Sequence, residues 1–208
     1  MTAAADKWDA KYAGDEFFYG TEPNTFLVSA AGRLATGSRI LSLGEGEGRN
    51  GVYLAGLGHD VVATDQSVVG LRKAQALARR RGVTIATVAG DLASLPIDAG
   101  AWDAIVSLWC HLPGIVRRPL HRAVAAGLAP GGLLILESYH PAQIGRGRGG
   151  PSDPDLMPTL DELRHELPGL EVLHAAELER EVSEGEGHQG LSAVVQFIAR
   201  RPVGVSGP

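Results

Sequence analysis

Short apolar runs alternate with amphipathic stretches along most of this chain, and that rhythm sets the expected fold. Residues 39–43 (RILSL) form a β-rich run that ends in the loop Gly44-Glu45-Gly46-Glu47-Gly48. A short helix is expected over residues 50–57, stopped by Gly58, and residues 60–64 (DVVAT) form a second strand ending at Asp65. Within residues 67–81, Val68, Leu71, Ala74 and Ala78 share one helical face, with Ser67 placed to cap it and Gly82 just beyond. Arg79, Arg80 and Arg81 fall in the last turn, where cations complement the helix dipole, a plainer reading than a binding patch. Residues 83–89 and 102–108 read as strands, and residues 115–128 as a helix with Val116, Leu120, Val124 and Leu128 on one face. Pro130-Gly131-Gly132 then turns the chain into a strand over residues 133–137.

This alternation predicts an α/β fold, a doubly wound parallel sheet covered by helices on both faces. The last third differs. Residues 145–158 (GRGRGGPSDPDLMP) are rich in glycine and proline and predict a mobile loop, followed by a helix over 159–167. Residues 170–182 and 191–200 read as strands joined by EGEGHQG (184–190), which predicts an antiparallel hairpin closing the sheet.

Composition narrows the functional classes. A chain of 208 residues favours one domain, residues 1–208, and 44% hydrophobic with 21% charged residues is ordinary for a globular protein. Nineteen basic against 24 acidic residues, a net charge of −5, argue against a nucleic-acid partner. Cys110 is the only cysteine, so an intrachain disulfide is impossible and a thiolate metal site is not expected. The opening MTAAADKWDAKY has no apolar leader core, and no apolar run approaches the ~18 residues of a membrane span. The expected location is the cytoplasm, with no membrane partner.

The loop after the first strand carries the candidate chemistry. Glycines there let a ligand approach the backbone, and Asp65 follows Gly44 by about 20 residues, the spacing at which a carboxylate meets a ribose diol. Two adenosine-bearing ligands compete for this geometry. A nicotinamide dinucleotide would lay its pyrophosphate on the loop, where Glu45 and Glu47 oppose it, and a G-x-G-x-x-G count from Gly44 lands on Arg49. S-adenosylmethionine has no phosphate and carries cationic groups, so an acidic loop suits it better.

ILSLGEGEGRN (40–50), DVVATD (60–65), GDL (90–92), WDAIVSLW (102–109) and LAPGGLLILESYHP (128–141) resemble, in order, the successive motifs of class I S-adenosylmethionine-dependent methyltransferases. The likeness is to small bacterial enzymes of the tellurite-resistance type, and WDAKYAGDEFFYGTEPNTFL (8–27) is similar to their opening segment. The resemblance spans residues 8–200. It implies a seven-stranded sheet with an antiparallel last strand, an N-terminal cap (1–36), a cofactor-binding core (37–138) and a substrate-side remainder (139–208). It further implies that Gly44–Gly46 approach the methionine part of S-adenosylmethionine, Asp65 the ribose, and Asp91 with Leu92 the adenine. Tyr19, Glu45, Gln66 and Leu108 complete the expected cofactor contacts. One departure is Ser42: relatives often carry an acidic residue two positions before the first loop glycine, which leaves Glu45 or another group to anchor the donor's amino group.

Other candidates have two readings each. Trp8, Tyr12, Phe17, Phe18 and Tyr19 form either a flap over the cofactor, with Tyr19 near the sulfonium, or a segment stapled to the core. His111 and His140 follow the fourth and fifth strands, at the strand ends where open α/β sheets bind ligands, as catalytic bases or as polar loop residues. Cys110 is either a reactive thiol or a small packed residue, and Arg146 and Arg148 either attract an anionic acceptor or stay solvated. An Asn/Asp-Pro-Pro-aromatic motif, seen in many base-amino methyltransferases, is replaced by Ser107-Leu108-Trp109-Cys110, which disfavours a flipped base. The expected function is methyl transfer from S-adenosylmethionine to a small-molecule acceptor that the sequence does not identify. A non-catalytic adenosyl-ligand-binding protein and a nicotinamide-dependent oxidoreductase are the alternatives.

Overall fold

Strands β1 (Arg39–Leu43) and β4 (Trp102–Leu108) occupy the centre of the sheet because they can be buried on both faces: Ile40, Ala104 and Ile105 are completely enclosed. In the computed structural model, which describes residues 3–146 and 149–204, they are flanked by β2 (Asp60–Asp65) and β3 (Ala86–Ala89) on one side. On the other side lie β5 (Leu128–Tyr139), β7 (His188–Arg200) and β6 (Glu171–Glu184). The seven-stranded order among the described residues is β3-β2-β1-β4-β5-β7-β6. The first five strands are parallel, with Ile40 opposite both Val61 and Ala104, whereas β7 runs antiparallel to β5 and to β6.

Helices cover both faces. Leu120 and Val124 of α5 (Gly114–Gly127) and Leu163 of α6 (Leu160–Glu166) pack with Leu41, Leu134 and Phe197. On the opposite face Phe26 and Leu27 of α2 (Thr25–Ala31) and Leu54 of α3 (Arg49–Gly56) pack with Ile40, Ile135 and Ile198. α4 (Val68–Arg80) begins where expected, the Ser67 hydroxyl accepting from the Gly70 N–H, and α1 (Ala3–Tyr12) lies against it. Asp9 fixes that contact by accepting from the Ser67 hydroxyl at 2.5 Å and the Val69 N–H at 3.1 Å. No helix among the described residues is long and apolar enough to cross a membrane.

Four expectations change. β3 starts at Ala86 rather than residue 83, because Val83 leaves the sheet to pack with Val52, Leu77 and Ala78. β5 starts earlier, at Leu128, because Leu128 pairs with Trp102 before the ladder shifts register and Gly131 donates to Arg201 at 2.8 Å. The hairpin is tighter than expected: Glu184 pairs with His188, and only residues 185–187 form the turn. Within the segment expected to be a mobile loop, the described residues 145–146 and 149–158 make specific contacts. Met157 is completely buried, Gly149 and Gly150 lie where a Cβ would strike the Tyr139 ring, and Arg117 donates to the Asp155 carbonyl at 2.5 Å. Asp155 in turn accepts from the Gly114 N–H at the start of α5. Arg146 pairs with Glu179, and Arg148 lies outside the described residues.

Candidate functional site

The loop after β1 is shaped by what surrounds it. Gly44, Gly46 and Gly48 all have left-handed backbones, with φ of 60°, 62° and 98°. A Cβ on Gly48 would sit 2.5 Å from the Ala74 Cα of α4, and one on Gly44 would sit 2.9 Å from the Cys110 Sγ. The chain therefore enters α3 in a tight, backbone-lined turn that opens on a cavity at the carboxyl ends of β1, β2 and β4. This cavity holds about 910 Å3 of non-atom space, its solvent-facing mouth included.

Both loop glutamates turn inward. Glu45 Oε1 accepts from the Gly51 N–H at 2.8 Å and the Asn50 N–H at 3.2 Å, and Oε2 accepts from the Ser42 hydroxyl. Burial pushes the Glu45 carboxyl up in pKa, and these donors hold it down. Ser42 and Glu45 together thus supply a buried carboxylate beneath the loop, which is bound to the protein itself. Glu45 lines the cavity, but its oxygens brace the loop and the α3 N-terminus, so direct anchoring of a donor's amino group is not its arrangement here. Glu47 pairs with Lys73 at 2.6 Å and accepts from the Tyr19 N–H at 3.3 Å.

Asp65 ends β2 facing this loop. Its Oδ2 accepts from the Gly46 N–H and its Oδ1 from the Ser67 N–H, both at 2.8 Å, which fixes the carboxylate and leaves further lone pairs for a ligand. Burial pushes its pKa upward, opposed by those N–H groups. Gln66, Asp91, Leu92 and Leu108 line the same cavity, Asp91 held by an N–H from Ala93 at 2.9 Å. All the sequence-expected cofactor residues, Tyr19 included, therefore converge on one space.

Another part of the cavity wall is built of rings. Trp109 follows β4 with φ of 55°, the one non-glycine among the described residues in the left-handed region. That turn points its indole N–H at Glu184, 2.7 Å away. Glu184 also pairs with Arg49 at 2.5 Å and Arg180 at 3.0 Å, and Arg180 pairs with Glu137 at 2.6 Å. Asn24, the N-cap of α2, donates to both glutamates. His188 stacks between Tyr19 and Trp109, at centroid distances of 4.5 and 4.9 Å, and its Nδ1 meets the Tyr139 hydroxyl at 2.9 Å.

The two histidine candidates part company. His111 lines the cavity, its Nδ1 3.3 Å from the Ser138 hydroxyl, and burial pushes its pKa down to about 4, the Leu156 carbonyl opposing. His140 does not reach the cavity. Its Nδ1 accepts from the Ala142 N–H, capping the 3-10 turn Pro141–Gln143, and its Nε2 lies 3.4 Å from Glu177. The catalytic expectation for His140 is therefore corrected to a capping role. Cys110 faces the cavity beside Gly44, but burial pushes its thiol up to about 12, so it packs as a thiol.

The early aromatics divide: Trp8, Tyr12 and Tyr19 line the cavity, Tyr12 also packing against Gly46 and Gly70, whereas Phe17 packs against the cluster around Val52. Arg49, Asn50, Leu112, Trp109 and His188 line it too and were not singled out from the sequence. Trp109 was within reach, as the residue ending the β4 motif. His188 gave no signal beyond its place in a glycine-rich turn.

Residues 40–132 match the model of a methyltransferase domain family. An uncharacterized protein of Mycobacterium tuberculosis is 33% identical over 103 residues, which are 50% of this chain and 36% of that one. The chain thus covers little more than a third of the curated relatives it matches. Among solved structures, one from work on the conversion of a disulfide bond into a thioacetal group during echinomycin biosynthesis superposes with a TM-score of 0.75 at 20% identity, covering 97% of this chain and 93% of that one. TehB from Haemophilus influenzae superposes with a TM-score of 0.67 at 20% identity, covering 95% of this chain and 66% of that one. At these identities the superpositions establish the fold.

Proposed function

We propose that this chain, whose residues 40–132 match a methyltransferase domain family, transfers a methyl group from S-adenosylmethionine to a small-molecule acceptor. The observation that carries this reading is the Asp65 carboxylate, braced by the N–H groups of Gly46 and Ser67 beside a loop with no Cβ in the way. Asp65 would hold the ribose hydroxyls, Asp91 and Leu92 the adenine, and the Gly44–Gly46 backbone the methionine part. When bound, S-adenosylmethionine supplies an electrophilic methyl group on a sulfonium.

The chain's own work is to orient and to exclude water. Tyr19 and His188 close the cavity over Arg49, and the Lys73–Glu47 pair holds the loop beneath them. His111 and His188 are uncharged at neutral pH, pushed down to about 4 and about 3. An imidazole of such low basicity is a poor match for deprotonating an alcohol or an ammonium group, so the reading favours an acceptor that is nucleophilic as it arrives. The proposed compartment is the cytoplasm, where the unpaired Cys110 stays reduced.

A calorimetric titration with S-adenosylhomocysteine, and NAD as control, tests the reading. Saturable binding of the first and none of the second is expected. NAD binding with no S-adenosylhomocysteine binding would revive the oxidoreductase alternative. Tight S-adenosylhomocysteine binding with no turnover across thiol, amine, hydroxyl and chalcogen-oxyanion acceptors would identify a binding protein.

A further inference from the structure

One wall of the cavity is lined by rings, and Arg49, Arg180, Glu137 and Glu184 behind it are paired with one another. Tyr19, His188, Trp109, Tyr139 and His111 come from four separate segments yet form one continuous, folded column of rings, in which Tyr139 also meets His188 at 5.4 Å. Successive centroids lie 4.5, 4.9, 4.4 and 5.6 Å apart. Four of the five face the cavity, and Tyr139 backs them, completely buried. Behind the column Glu184 is held by Arg49, Arg180 and the Trp109 indole, and Glu137 by Arg180, Gln196 and Asn24.

From this arrangement we propose that the acceptor bound beside the donor is an uncharged molecule with a flat, unsaturated face, seated against the ring column with Trp109 as its main platform. A charged acceptor would gain little here against its lost hydration, because Arg49 and Arg180 are neutralised by Glu184 and Glu137, and the Lys11 ammonium is turned onto the Trp8, Phe18 and Tyr19 rings and donates to the Tyr19 hydroxyl. A flat π face, by contrast, can pack on the side that Tyr19, His188, Trp109 and His111 turn to the cavity. The low pKa values of His111 and His188 fit the same picture, since both imidazoles stay neutral across the physiological range. Trp109 suits the role of platform because its ring is fixed twice, by the left-handed backbone turn and by the bond to Glu184. The inference rests on the methyltransferase reading for the identity of the site and adds the class of acceptor.

The test is a set of calorimetric titrations with four probes of one size, run with and without saturating S-adenosylhomocysteine. 2-Naphthol is neutral and flat, 2-naphthoate anionic, 2-naphthylmethylammonium cationic, and decahydro-2-naphthol neutral but saturated. The expected result is that 2-naphthol binds at least ten-fold more tightly than either charged probe and several-fold more tightly than the saturated one. Trp109→Leu should erase the preference for the flat probe while S-adenosylhomocysteine still binds. Should that variant not fold, nuclear Overhauser contacts between bound 2-naphthol and protein aromatic protons give the same answer in the wild-type chain. Equal or tighter binding of a charged or the saturated probe would overturn the proposal, whether or not S-adenosylhomocysteine binds. Loss of S-adenosylhomocysteine binding alone would instead count against the donor reading.

Discussion

The two ends of the cavity are made in opposite ways. The donor end is built from backbone and from residues close in sequence: a turn of three left-handed glycines, a carboxylate at the end of the next strand, and an aspartate after the third. The acceptor end is built from side chains brought together from residues 19, 109–111, 139 and 188. A backbone-built site tolerates little change in its glycines, because each replaces a void that the chain itself would otherwise fill. A site built of side chains tolerates exchange of individual rings.

The largest effect expected from breaking this contrast is at Gly48. Ala at this position combines φ of 98° with a Cβ only 2.5 Å from the α4 backbone, so stability should fall by about 3 kcal/mol or more, read from urea unfolding. A near-neutral Gly48→Ala would show that the turn is not clamped. Next is Glu184→Ala, which strands Arg49 beside a buried gap, leaves Arg180 with Glu137 alone and should cost about 3 kcal/mol. Its diagnostic feature is at the acceptor end: Trp109 loses its anchor, so acceptor KM should rise more than donor KM. A change confined to the donor would contradict that division.

Asp65→Ala addresses the donor end alone. Loss of the fixed carboxylate should weaken S-adenosylhomocysteine binding about 30-fold, equivalent to about 2 kcal/mol, and leave acceptor preference unaltered. Calorimetry of the purified variant checks this, and unchanged affinity would remove Asp65 from the site. His111 gives a smaller, pH-dependent effect. Its folded pKa of about 4 lies below the ordinary 6.5, so the unfolded chain takes up the proton first. Stability from this group is complete above about pH 6.5 and is lost as pH falls toward 4. His111→Gln should reduce that loss by on the order of 2 kcal/mol in unfolding experiments run between those two pH values. The smallest effect is at His140, where Ala should change kcat/KM less than two-fold, because the side chain caps a turn outside the cavity. A hundred-fold loss there would restore it as a catalytic residue.

The same contrast explains what could be seen before any coordinates. Gly44, Gly46 and Asp65 were legible as lining residues because they follow a spacing along a strand–turn–helix unit, and local spacing survives in the sequence; Asp91 came from the resemblance of GDL to a family motif. The sheet was legible through strands whose apolar runs must be buried on both faces. The contact of Trp109 with His188 was not, since nothing local says that a residue following β4 and one opening β7 will stack. His140 was misjudged because a strand end predicts where a side chain starts, and its reach was decided by the Ala142 N–H two residues on. The segment 145–158 was misjudged because glycine-rich composition suggests freedom, whereas here Gly149 and Gly150 make room for the buried Tyr139 ring.

The turn between β6 and β7 has a consequence for how the protein is made. Glu186 donates to the Phe18 carbonyl at 2.9 Å, and a Cβ on Gly185 would lie 2.4 Å from that same oxygen, so residues 18–19 and 185–188 clasp each other over the cavity. A chain emerging from the ribosome can lay down the glycine loop, β2 and β4 well before residue 185 is available. The acceptor chamber cannot close until then, because its roof is a contact across most of the sequence. The donor end should therefore acquire protection against hydrogen exchange early in folding, and the ring column last, so that during synthesis a nucleoside pocket precedes any surface on which an acceptor can settle.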